Sequence, residues 1–221
     1  MIELKKIIGQ EILNIWQKTE YANFCSSVPV MTKEVNSKSP LLFIGLNPSQ
    51  RKKDGKSKNM GQIDEIDISK IHVTDQYYGK FFKIAERTGY KDQWSHFDLL
   101  YYRGMQNEIS IIQRNVAEKG EIFIWEQLQQ SKKILESLYP KIIVVCNRLA
   151  GEFMGIKKKV SIKGKITGEW MNLQFIENDD YCLWNGIPVI FSVQLNSRYC
   201  KSGTIEKLIE KIVRIKKTHN I

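Results

Sequence analysis

Cysteine and histidine are scarce. The four cysteines (Cys25, Cys146, Cys182, Cys200) lie far apart with no Cys-x-x-Cys pair, and there are three histidines (His72, His96, His219). Zinc and iron–sulfur sites need ligands clustered at short spacings, so no metal and no cofactor is expected, and the thiols read as reduced. Long apolar runs are missing too. None approaches the ~20 residues of a membrane span, so no membrane partner is expected. There is no internal repeat, low-complexity tract or Pro-rich linker, and 221 residues suit a single domain, 1–221. No Gly-x-Ser-x-Gly is present, and neither Gly55 nor Gly61 is followed by the Lys-Ser/Thr of a phosphate-binding loop. The opening Met1-Ile-Glu-Leu-Lys-Lys is an amphipathic helix pattern carrying an acid, not a signal peptide. A cytoplasmic monomer is the expectation.

What the chain has in excess is positive charge. Lys plus Arg number 34 against 24 acids, a net +10. Arg51–Asn59 (RKKDGKSKN) holds five bases and one acid, and Lys157–Lys165 (KKKVSIKGK) five bases and no acid, so these two stretches contribute +9. Concentrated cations spaced by Gly and Ser suit a phosphate-facing loop, and a domain this basic has the electrostatic footprint of a nucleic-acid binder. Arg51, Lys52, Lys53, Lys157, Lys158 and Lys159 are the expected contacts, with DNA the expected partner. A solvated surface is the plainer alternative.

With 42% hydrophobic and 10% aromatic residues the chain can build a core. Residues 2–18 read as an amphipathic helix with Ile8, Ile12, Leu13 and Trp16 on one face. The apolar run 41–46 (LLFIGL), stopped by Asn47-Pro48-Ser49, reads as a buried strand. Further strands are predicted at 97–102, 141–146 and 187–193. Helices are predicted at 77–88, 120–138, 148–154 and 203–217. Strands alternating with helices imply an α/β sandwich: a four-stranded, mostly parallel sheet between helical layers, with the strand ending at Leu46 central. The flanking parts are a helical segment over about 1–38 and a basic, hairpin-like insertion over about 156–186. In such a sheet, sites gather at the carboxyl ends of the strands. The residues expected there are Asn47-Pro48-Ser49, Asp98–Arg103, Asn147-Arg148 and Gln194–Arg198, rich in carboxamides and without a nucleophile–base pair.

These residues carry a resemblance. Leu42–Ser49 (LFIGLNPS) resembles the first motif of the uracil-DNA glycosylase superfamily, in particular the Gly-x-Asn-Pro of its mismatch-specific and single-strand-selective branches. Tyr77-Tyr78-Gly79-Lys80-Phe81-Phe82 is similar to the family's aromatic-Gly-x-x-Phe segment, whose aromatic ring stacks on an extruded base. Leu195-Asn196-Ser197-Arg198 follows the last strand, the position of the family's second motif. The match in order and spacing runs over roughly residues 40–217. Two departures stand out. The second segment lacks the family's Pro and His, and Asp98 stands where several branches carry the base-reading Asn. No cluster of four cysteines marks an iron–sulfur branch.

The resemblance implies a DNA glycosylase that hydrolyses the N-glycosidic bond of a damaged or mismatched base flipped out of DNA. Such a reaction passes through an oxocarbenium-like sugar and a departing base anion, so a water held by a carboxamide suffices in place of a strong nucleophile. Asn47 and Asn196 are the implied catalytic residues. Gly45, Leu46, Pro48, Tyr78, Asp98 and Ser197 are the implied base contacts, with Gly45 and Leu46 presenting backbone groups, and Arg198 and Tyr199 the implied DNA contacts. An ionised Asp98 only accepts hydrogen bonds and so suits an exocyclic amine better than uracil. Structural alternatives stand beside these roles: a turn or cap for Asn47, a core ring for Tyr78, a buried ion pair with Arg103 or Arg148 for Asp98, and loop surface for Arg198 and Tyr199. Two other functions fit the same scaffold, a non-catalytic nucleic-acid-binding module and an enzyme acting on free nucleosides or nucleotides.

Overall fold

The computed structural model describes residues 1–48, 61–71, 75–104, 106–115, 117–155, 170–195, 200–201 and 203–221. Its strands are β1 (Ile2–Glu3), β2 (Val30–Thr32), β3 (Glu34–Val35), β4 (Leu41–Gly45), β5 (Asp64–Ile66), β6 (Trp94–Asp98), β7 (Ile142–Val145), β8 (Ile176–Glu177), β9 (Cys182–Trp184) and β10 (Ile187–Phe191). Its α-helices are α1 (Leu4–Trp16), α2 (Ile68–Ile71), α3 (Tyr78–Arg87), α4 (Gln106–Arg114), α5 (Gly120–Glu136), α6 (Arg148–Met154) and α7 (Thr204–His219). None is long and apolar enough to cross a membrane.

The α/β expectation holds, but the central sheet is mixed and has six strands, ordered β6-β4-β7-β10-β9-β8. Four of them, β6, β4, β7 and β10, run parallel; β9 and β8 extend the β10 edge antiparallel. The extension exists because Asn185 and Gly186, at φ 50° and 79°, turn the chain straight from β9 into β10. Both central residues of that turn need positive φ, which Asn-Gly tolerates best. An insertion over about 156–186 was expected; residues 156–169 of it lie outside the described residues, and its C-terminal part forms this sheet edge.

Strand β4 lies between β6 and β7, and all five of its residues are buried. Its side chains alternate between two cores, as the period of two in a strand requires. Leu42 and Ile44 join Ile143 and Val145 under α1 and α5, while Leu41 and Phe43 join Ile142 and Val144 under α3 and α7. Helices therefore cover both faces, which is why the parallel strands read as continuous apolar runs.

The second strand is displaced three residues from its expected place. The run 97–102 was read as a strand because it is apolar, yet the ladder with β4 pairs Leu41 with Trp94 and Gly45 with Asp98. Residues 99–101 are buried by passing beneath α5. Tyr101 N–H donates to Gln127 Oε1 at 2.9 Å, and Ser131 Oγ bridges the Tyr101 hydroxyl and Leu99 O at 2.8 and 2.6 Å. Burial alone does not distinguish a strand from a tightly held loop. The segment about 1–38 is helical in α1 but also contributes β1, β2 and β3 to two small sheets, β1–β3 and β2–β5.

Candidate active site

Helix α3 packs on one face of the sheet and α5 on the other, and the carboxyl ends of β4 and β6 lie side by side. Connections diverging from adjacent strands open a crevice at their carboxyl ends. A cleft of about 730 Å³ lies there, lined among others by Asn47, Pro48, Tyr77, Tyr78, Asp98 and Arg103. Asn47, Pro48, Tyr78 and Asp98, each singled out in the sequence, thus face one space.

Asn47 is braced by the neighbouring loop. Its Nδ2 donates to the carbonyls of Gly104 at 2.7 Å, Tyr102 at 3.2 Å and Pro48 at 3.3 Å. That arrangement fixes the amide's orientation: the nitrogen faces three acceptors, and Oδ1 accepts no hydrogen bond from any described residue. An aspartate here would set a carboxylate oxygen against the same three carbonyls.

Asp98 ends β6 with 7% of its surface exposed. The bare Cα of Gly45 lies beneath it. A Cβ at residue 45 would come 2.0 Å from Asp98 Oδ1, so glycine is required for this close approach. Among the described residues, neither anticipated ion pair with Asp98 forms. Arg148 reaches Glu152 at 3.0 Å and Arg103 reaches Asp64 at 3.6 Å. Among the described residues, the only ionisable group recorded within ion-pair reach of Asp98 is His96, with Nε2 3.6 Å from Oδ1. That contact is not an ion pair. Burial pushes the His96 imidazole down to about 3, so it is neutral, and 3.6 Å is too long for a hydrogen bond. Neither His96 ring nitrogen has a hydrogen-bond partner among the described residues. Burial pushes the Asp98 carboxyl up to about 7. Asp67, on the same cleft wall, moves the other way: the Ser69 hydroxyl, ahead of Lys70 and Lys33, lowers its pKa.

Helix α3 supplies the aromatic wall. Asp75 Oδ1 accepts from the N–H groups of Tyr77 and Tyr78 at 2.8 and 3.0 Å, fixing the start of the helix. Tyr78 is 3% exposed and meets the His96 ring edge-on at 5.3 Å; Phe81 stacks on His96 at 5.1 Å. Burial, then the neighbouring Asp98 charge, raises the Tyr77 phenol well above its ordinary value.

Gly45 closes β4 and Leu46 follows it. The Leu46 side chain packs into the core under α1 and α5, and the two carbonyls accept from Leu99 and Leu100 N–H at 3.1 and 2.9 Å. Asn196, Ser197, Arg198 and Tyr199 lie outside the described residues, as do Arg51, Lys52, Lys53, Lys157, Lys158 and Lys159. Leu195, the residue before Asn196, is held at α3: Lys80 Nζ donates to its carbonyl at 2.7 Å.

His96 and Tyr77 were missed as members of the cluster. An apolar run that opens at Phe97 leaves His96 out; a strand containing both 96 and 98 puts them on one face. A second groove, about 670 Å³, lies at the end of β10 and carries Lys201, Lys207, Lys211 and Arg214, the last paired with Asp180. Among the described residues no group of three or more His, Cys, Asp or Glu side chains could hold a metal ion. No protein-family model matches the chain, and no curated protein matches its sequence significantly.

Proposed function

We propose that the cleft receives a nucleobase flipped out of DNA and that the protein hydrolyses its N-glycosidic bond, as the resemblance to uracil-DNA glycosylases implies. The observation that carries this reading is the convergence of Asn47, Tyr78 and Asp98 on one cleft at the ends of two adjacent parallel strands. Its size falls in the roughly 300–1,000 Å³ range of small-ligand pockets. The Asn47 amide, oriented by three carbonyls, leaves Oδ1 to hold a water on the sugar side. Tyr78 offers a ring against the base, and such stacking contributes ~1–3 kcal/mol. Extrusion is required because the bond to be cut is inaccessible within the stack. DNA phosphates would meet the basic stretches 51–59 and 157–165, the first of which begins three residues beyond Pro48 in the cleft wall. The second groove adds Lys201, Lys207 and Lys211.

The test is incubation with single- and double-stranded oligonucleotides carrying uracil, hypoxanthine, xanthine or mismatches, followed by alkaline cleavage at abasic sites. Strand scission at the modified position is expected for at least one substrate. One observation favours a free nucleoside as the substrate instead: among the described lining residues, four acids (Glu65, Asp67, Asp75, Asp98) outnumber two cations (Lys70, Arg103). Base release from nucleosides with none from oligonucleotides would establish that second reading. DNA binding without base release would leave a binding module.

A further inference from the structure

We propose that Asp98 acts as a buried carboxylic acid that protonates the departing base. The inference rests on the glycosylase reading and supplies what the second motif lacks, a histidine able to stabilise the base as it leaves.

The geometry gives the acid form its reason. A carboxylate buried without a cation or hydrogen-bond donor is costly, and the group escapes the cost by holding a proton. Among the described residues, every element packed around Asp98 leaves it in that position. On its own strand, His96 is neutral and 3.6 Å away. From β4 come bare Gly45 and Asn47, whose amide hydrogens are spent on three carbonyls. From the start of α3 come Tyr77, a phenol whose pKa is raised first by burial and then by Asp98, and Tyr78, which lines the same cleft. Cys146, after β7, is a buried thiol whose pKa is raised, first by burial and then by Asp98. Tyr101, beyond β6, shares its hydroxyl with Ser131. Arg103 and Lys70, with Asp67 and Glu65, stand on the wall of the same cleft; Arg103 meets Asp64 and Lys70 meets Asp67 at 3.4 Å. Of the four carboxyls lining the cleft, Asp67 is driven toward the ionised form and Asp98 toward the acid form, and such a split is how environments assign acid and base roles.

The step balances. The C1′–N bond breaks and its electron pair goes to the base. The Asp98 O–H proton passes to a base oxygen or ring nitrogen. Water held at Asn47 adds to C1′ and gives a proton to solvent, and the Asp98 carboxylate regains one from solvent. One water is consumed, and free base and a sugar hydroxyl are formed.

The experiment is the pH dependence of single-turnover base release, from pH 5 to 9, on whichever oligonucleotide supports release. The wild-type rate should be level below about pH 7 and fall about tenfold per pH unit above it, as the acid form is depleted. Asp98→Asn keeps an N–H donor but has no proton to transfer, so its rate should be lower and its profile flat. Asp98→Leu, with folding verified by circular dichroism, should release no base. Carbon-13 NMR of the Asp98 carboxyl should show titration near pH 7 in the free protein. Base release with a flat wild-type profile, the wild-type fall persisting in Asp98→Asn, or a carboxyl that titrates near pH 4 would each overturn the acid role while leaving the glycosylase reading intact. No release from any substrate at any pH would overturn that reading and the acid role with it.

Discussion

At the residue scale, the pair His96 and Asp98 makes a prediction independent of activity. Between about pH 4 and 6.5 the unfolded chain carries Asp98 ionised and His96 protonated, at their ordinary values of 3.8 and 6.5, whereas the folded chain holds both neutral. Folding then takes up one proton at Asp98 and releases one at His96, and the two contributions to the pH slope cancel. The raised carboxyl alone makes stability fall as pH rises through this window; the depressed imidazole alone makes it fall as pH drops. Asp98→Asn should therefore lose stability on acidification from about pH 6.5, and His96→Leu should lose it on raising the pH from about 4 to 7, each by about 1.4 kcal/mol per pH unit. Denaturant unfolding at pH 4.5, 5.5 and 6.5 measures this; parallel curves for wild type and both variants would contradict it. Asn47→Ala should abolish base release and leave DNA affinity nearly unchanged, because it removes a neutral amide and no cation. It should also cost about 1 kcal/mol of stability through the lost carbonyl contacts. Filter binding and unfolding on one preparation separate the two effects. Asn47, Tyr78 and Asp98 were legible in the sequence because a strand end followed by Asn-Pro, and an aromatic pair opening a helix, are local signals. The neutral character of Asp98 was not, since it depends on what surrounds the carboxyl from four other elements.

At the element scale, the cleft is held open by contacts that strand and helix patterns do not announce. Gln127 and Ser131 are one turn apart on α5, completely buried, and they fasten residues 99–101 behind Asp98. Gln127→Ala leaves the Tyr101 N–H without its acceptor and should cost ~1–3 kcal/mol in thermal unfolding. Gly45→Ala pushes a methyl group into the Asp98 carboxylate and should cost ~1–3 kcal/mol while displacing the carboxyl from the cleft. The strongly periodic helices α1, α3, α5 and α7 and the apolar strands β4, β7 and β10 were readable within two residues or so at most of their ends, because period and burial coincide there. The sheet edge was misread for a definite reason. Asn185-Gly186 between Trp184 and Ile187 is a hairpin signal in its own right, and β9 and β8 follow from it. The small β2–β5 sheet pairs strands far apart in sequence, with three residues each, too few to leave an alternating pattern.

At the scale of the whole molecule, the described lining of the cleft carries more acids than cations, while the sequence concentrates its cations in the stretches 51–59 and 157–165. If about five phosphates are neutralised, log K for DNA should fall with log salt at a slope of roughly −4 to −5. Replacing Lys157, Lys158 and Lys159 by Ala should flatten the slope, and so should the pair Lys207→Ala and Lys211→Ala; slopes equal to wild type would remove these residues from the interface. The account as a whole turns on one comparison, single-turnover formation of abasic sites in the oligonucleotide panel by wild type and by Asn47→Ala at matched, saturating protein. It predicts release by the wild type on at least one modified base and none above background by Asn47→Ala with DNA still bound. Equal release by both proteins, or none by the wild type on any substrate, would contradict it.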